Sequence, residues 1–137
     1  NNTYRELLAN MSPADLTEEV KDTLDALRQK GLLLAIGSSS KNAPFILERI
    51  GLGDYFDRIS DGNNITHAKP DPEVFLLAAQ YLGLEPKDCL VVEDAFSGID
   101  AGIAGGFDTA AIGDATRYDK PTYKLSTFSD LLMIVEE

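Results

Sequence analysis

The sequence holds one cysteine, one histidine and no tryptophan, and it is short of basic residues. A single thiol, Cys89, excludes an internal disulfide and a multi-cysteine metal site. Set inside an apolar run, it reads as a small core residue and not as a nucleophile. His67 has no histidine or cysteine partner, so it reads as a loop residue, neither ligand nor base. Lysine and arginine total 12 against 23 aspartates and glutamates, a net charge of −11. That balance argues against nucleic acid or an anionic membrane as partner, and it requires any anionic substrate to meet a local cluster of positive charge or a metal. No apolar run approaches the roughly 20 residues of a membrane span. The stretch Asn1-Asn2-Thr3-Tyr4-Arg5 lacks the charged-then-apolar pattern of a signal peptide. A reducing, cytoplasmic setting is compatible with these absences.

What is present is enough for one domain with a real core, at 137 residues. Tyr4, Leu7 and Leu8 at i, i+3, i+4 predict a short amphipathic helix over residues 2–10. Ser12-Pro13-Ala14-Asp15 reads as a turn. Thr17-Glu18-Glu19 is an N-cap with acids in the first turn, opening a helix that carries Val20, Leu24 and Leu27 and ends at Lys30-Gly31. Leu32 to Ile36 is a buried strand that runs into Gly37-Ser38-Ser39-Ser40-Lys41-Asn42, with Pro44 early in the following helix. A short strand near Ile59 leads to the turn cluster at residues 61–64. The helix after Asp71-Pro72 carries Phe75, Leu76, Ala79 and Leu82. Cys89-Leu90-Val91-Val92 is a continuous apolar run, the mark of a strand buried on both faces. It opens into Glu93-Asp94 and a small-residue helix ending at Gly105-Gly106. Phe107 to Ile112 is a further strand, Tyr123 to Leu125 an extended piece, and a last helix starts at Ser129. Alternating strands and helices with short connections predict a three-layer α/β/α domain with a mostly parallel sheet.

In open α/β sheets ligands sit beyond the carboxyl ends of the strands, and three stretches with chemistry lie there. Ser38, Ser39, Ser40, Lys41 and Asn42 offer hydroxyls, an ammonium, an amide and a helix N-terminus, a good inventory for phosphate oxygens. Such a loop standing alone is more often an ordinary helix cap. Lys69, stiffened by Pro70 and Pro72, can serve as a positioned point charge, although a lone lysine before proline is usually solvated. Glu93 and Asp94 can hold Mg2+, which takes one or two carboxylates plus waters and phosphate. Equally, Asp94 can simply cap the next helix. The combination of the three is far more specific than any one.

This order and spacing resembles the haloacid dehalogenase superfamily of phosphotransferases, and within it the β-phosphoglucomutase subgroup. The resemblance runs from Ser12-Pro13-Ala14-Asp15 to beyond the acidic loop. It implies a Rossmann-like core in which Ser38, at the end of Ala35-Ile36-Gly37-Ser38, binds the phosphoryl group in transfer with help from the backbone at Ser39. It implies that Lys69 is the family's catalytic lysine and that Glu93 and Asp94 are its Mg2+ ligands. Ser40, Lys41 and Asn42 look like the mutase's site for a second, non-transferring phosphate. The implied substrate is a phosphorylated sugar, with β-glucose 1-phosphate converted to glucose 6-phosphate; a sugar-phosphate phosphatase is the alternative.

One departure dominates. The family's nucleophile and general acid/base are the two aspartates of an Asp-x-Asp motif on a central first strand, and no Asp-x-Asp occurs in these 137 residues. The resemblance therefore implies that residues 1–12 are the end of a helical cap and its return linker, and residues 13–137 the C-terminal portion of the core. The sheet is then expected to lack its central strand. The strands ending at Ile36 and Val92 would each expose an edge open to an N-terminal segment, to a second copy of the chain or to repacking. Without a nucleophile, the chain by itself is expected to be catalytically inactive, with at most weak metal or phosphate binding.

Overall fold

A computed structural model describes residues 4–9, 17–38, 55–60, 63 and 65–135. The elements in chain order are β1 (Glu6–Ala9), α1 (Glu18–Gln29), β2 (Leu33–Gly37), β3 (Arg58–Ser60), α2 (Glu73–Tyr81), β4 (Cys89–Glu93), α3 (Phe96–Ala104), β5 (Asp108–Ala111), β6 (Tyr123–Lys124) and α4 (Leu131–Ile134). The strands form one sheet in the order β3-β2-β1-β4-β5-β6, with every neighbouring pair parallel. The two apolar runs that read as doubly buried strands are β2 and β4. Leu34, Ile36, Leu90 and Val92 face one layer with Leu24, Leu27 and Leu131, from α1 and α4. Ala35, Cys89 and Val91 face the other with Val74, Phe75, Ala78 and Ala101, from α2 and α3. This is the three-layer α/β/α arrangement expected. The helix expected after Pro44, with Phe45, Ile46, Leu47 and Ile50, and the turn at Ser12-Pro13-Ala14-Asp15 lie outside the described residues.

Two expectations are corrected by β1. Residues 6–9 are a strand, not part of a helix, and they occupy the central position that was expected to be missing. Glu6 to Ala9 pair in register with Leu33 to Ile36 on one side and with Cys89 to Val92 on the other. The inner edges of β2 and β4 are thereby closed within the chain. The boundary at residue 12 moves with them, because residues 6–9 belong to the core sheet. The physical reason is tertiary. A short helix on its own is marginal in water, whereas the slot pairs both backbone edges of the segment and buries Leu7 and Leu8 on opposite faces. Full burial of each leucine stabilises by roughly 1.5–3 kcal/mol. Ahead of the strand, the Tyr4 hydroxyl donates to Asp108 Oδ2 at 2.5 Å and lies 3.1 Å from the Tyr123 hydroxyl, tying the segment to β5 and β6.

Local signals place α1 as read. Thr17 Oγ1 accepts from Val20 N at 3.3 Å, as an N-cap should. The helix ends at Lys30, and Gly31 follows at φ +97, a left-handed conformation that favours glycine.

Candidate active site

Parallel pairing puts the C-terminal ends of β2, β1 and β4 along one rim. Ser38 follows β2 directly and is buried; its N–H donates to the Ser60 carbonyl at 2.9 Å, locking the strand end against β3. Glu93 is the last residue of β4, and strand alternation turns it toward the α2–α3 layer, where it is 1% exposed. Lys69 enters from the loop ahead of α2. Its ammonium donates to Glu93 Oε2 at 2.7 Å and to the Gly37 carbonyl at 3.3 Å, and lies 4.9 Å above the Phe75 ring. One lysine thus ties the ends of β2 and β4 together across the tip of β1.

The electrostatics of the pair follow from its burial. The side chains of Lys69 and Glu93 are 8% and 0% exposed. Desolvation pushes the Glu93 carboxyl above the usual carboxylate range, and the charge and hydrogen bond of Lys69 pull the other way. Glu93 Oε1 accepts only a long bond from Ala95 N, at 3.4 Å. Asp94, one residue on, is exposed beyond the strand end.

Of the residues singled out by sequence, Ser38, Lys69, Glu93 and Asp94 come to one rim. Ser39, Ser40, Lys41 and Asn42 lie outside the described residues. His67 is exposed, with Nδ1 3.5 Å from Glu73; Glu73 also accepts from the backbone N–H groups of Thr66 and His67, which holds its carboxyl below the ordinary range. This pins the loop carrying Lys69 to the start of α2. Among the described residues no group of three or more histidine, cysteine, aspartate or glutamate side chains could hold a metal. Two carboxylates with waters are nevertheless a sufficient protein contribution for Mg2+. The donor set fits in part, through Asp94 and Glu93 Oε1, because Lys69 holds Oε2.

Four supporting residues went unread. A Cβ on Gly98, in the first turn of α3, would fall 2.0 Å from the Glu93 carboxyl carbon, so the helix packs directly on the carboxylate. A Cβ on Gly37 would fall 2.7 Å from the Phe75 ring that underlies Lys69. The glycine five residues after Glu93, inside a helical pattern, was the available signal. For Phe75 the sequence shows only an apolar helix position. Nor did it mark Ser60, whose buried Oγ, beside the Ser38 backbone, has no hydrogen-bond partner among the described residues.

The model of the haloacid dehalogenase-like hydrolases matches residues 2–106. The chain is 36% identical over 113 residues to the β-phosphoglucomutase of Bacillus subtilis, covering 82% of this chain and 50% of that protein. It is 36% identical over 106 residues to a fructose-1-phosphate phosphatase of Escherichia coli, covering 77% and 55%. A crystal structure of β-phosphoglucomutase from Clostridium difficile superposes with a TM-score of 0.78 at 28% identity, over 88% of this chain and 54% of that one. The chain spans about half the length of the curated relatives it matches. With the parallel sheet and the lysine–glutamate pair at its rim, these matches identify the chain as a member of the haloacid dehalogenase-like hydrolase family.

Proposed function

We propose that the chain supplies the Mg2+- and phosphate-binding half of a sugar-phosphate phosphomutase that converts β-glucose 1-phosphate to glucose 6-phosphate. The observation that carries the reading is the buried Lys69–Glu93 pair, with Nζ also on the Gly37 carbonyl, beside Ser38. In this reading Lys69 and Ser38 bind the oxygens of the phosphoryl group in transfer, and Ser39 adds a backbone donor. Ser40, Lys41 and Asn42 grip the second phosphate of a bisphosphate. Asp94 and Glu93 hold Mg2+, which supplies neutralisation of phosphoryl charge. On a chain of net charge −11, these groups are the local positive field that an anionic substrate needs. The nucleophilic aspartate and the general acid/base have no counterpart in the sequence, so the isolated chain turns nothing over.

Phosphatase action on a small sugar phosphate is the second reading, favoured by the 36% identity to a fructose-1-phosphate phosphatase. One assay separates them. The full-length protein, given β-glucose 1-phosphate, Mg2+ and a catalytic amount of the bisphosphate, forms glucose 6-phosphate if it is a mutase and releases inorganic phosphate if it is a phosphatase. Lys41→Ala impairs the mutase reaction selectively, and Lys69→Ala abolishes both. Neither product from a folded full-length protein would sink the proposal, and multiple turnovers by the 137-residue chain would refute the assignment of an external nucleophile.

A further inference from the structure

Among the described residues, one buried carboxylate lies outside the site and is poorly accommodated. Glu6 opens β1, points to the same face as Leu8, and is 0% exposed in the middle of a six-stranded sheet. The Cys89 thiol donates to its Oε1 at 3.0 Å, and Oε2 has no hydrogen-bond partner among the described residues. Charged and titratable groups around it give little relief: the thiol's hydrogen bond favours the ionised form, but burial outweighs it. On β4 the thiol is the nearest such group, with half-buried Asp88 before it, while Glu93 lies on the same face at the far end of the strand and is held by Lys69. Asp57, ahead of β3, adds negative potential and is itself bound by Arg28. Arg58 of β3 lies over the Tyr81 ring of α2. The residues that α2 and α3 contribute to this core layer are apolar, among them Ala78, Ala79 and Ala101. Arg5 is exposed. A carboxylate so placed is tolerated neutral and strongly disfavoured ionised.

We propose that β1 is a conditional strand, seated between β2 and β4 while Glu6 is protonated and released from the slot when Glu6 ionises. The seat is short, four residues paired on each side, and besides that pairing the release is resisted by the burial of Leu7 and Leu8 and by the Tyr4 hydrogen bonds to Asp108 and Tyr123. Burial raises the Glu6 carboxyl to about 7, which puts the transition near neutral pH. Release uncovers the inner edges of β2 and β4, the two strands whose far ends carry Ser38 and Glu93. The chain thereby couples proton concentration to the geometry of the rim through its central strand.

The test is amide hydrogen exchange by NMR on the 137-residue chain at about pH 5.5 and about pH 8, corrected for intrinsic rates. Protection of Leu7, Leu8 and Ala9 is expected to fall about tenfold for each pH unit between the ordinary carboxyl value of 4.5 and about 7 and to level off above that, while β5 amides keep theirs. In Glu6→Gln and Glu6→Leu, protection of these amides should not change with pH. Unchanged β1 protection in the wild type, persistence of the loss in both variants, or an equal loss throughout β5 would each overturn the proposal. The first two outcomes would mean that Glu6 does not control seating. The third would mean that the domain unfolds as a whole. Loss of protection confined to β1 and the facing edges of β2 and β4 supports it.

Discussion

Lys69 and Glu93 are a buried pair whose members cannot be removed singly without cost. Truncating Lys69 to alanine leaves a carboxylate with no cation and only one long hydrogen bond. The expected loss is about 3–5 kcal/mol, read as a lower urea midpoint, and Glu93→Gln in the same chain should recover much of it. Gly98→Ala places a methyl group on that carboxylate, and overpacking of this kind costs roughly 1–3 kcal/mol. Its informative readout is Mg2+ affinity, which should fall more than it does in an alanine variant elsewhere on α3. Glu6 carries the clearest pH dependence. Its carboxyl rises from 4.5 to about 7 on folding, so the folded chain binds the proton more tightly than the unfolded one. The neutral form is therefore favoured, and stability is lost as pH climbs from the unfolded value through the folded one. The loss amounts to about 3 kcal/mol above neutrality. Glu6→Leu should raise stability by about that much at alkaline pH, and much of this pH-dependent part of its gain should be absent near pH 4. Denaturant melts of both proteins across the pH range check this.

At the scale of elements, legibility followed burial. The strands β2 and β4 were readable because a sheet covered on both faces demands unbroken apolar runs, and Leu33–Gly37 and Cys89–Glu93 supply them. The helix α1 was readable from its cap and its apolar spacing, and Thr17→Ala should cost about 1 kcal/mol of stability by removing the Val20 N–H partner. The segment Glu6-Leu7-Leu8-Ala9 was misread because four residues hold too little pattern to separate a period of 3.6 from a period of 2. Tyr4, Leu7 and Leu8 satisfy a helical stripe, yet in the sheet Leu7 and Leu8 serve opposite faces. Only the open slot between two strands decides, and a slot is not a local property of sequence. The candidate site divides in the same way. Ser38, Lys69, Glu93 and Asp94 were legible because their chemistry is unusual at strand ends. Gly37, Gly98 and Phe75 were not, because their roles are steric and depend on contacts that only the fold creates.

For the whole molecule, charge and topology set the terms. A net charge of −11 means that the folded chain repels itself, so added salt should raise its urea midpoint until screening saturates, at about 0.2 M. Topology bears on assembly. The hydrogen bond between Glu6 and Cys89 joins residues 83 apart in sequence, and every strand pair is parallel. Closing such a long loop is entropically expensive, and sheets built from distant pairings fold slowly. The centre of the sheet is therefore expected to be completed late, when residues 6–9 dock. Until they dock, β2 and β4 face each other across an open gap with unpaired backbone on both sides, a template for any extended chain nearby. Refolding yield should accordingly fall with protein concentration, and a short peptide spanning Glu6 to Ala9, added in excess during refolding, should restore it.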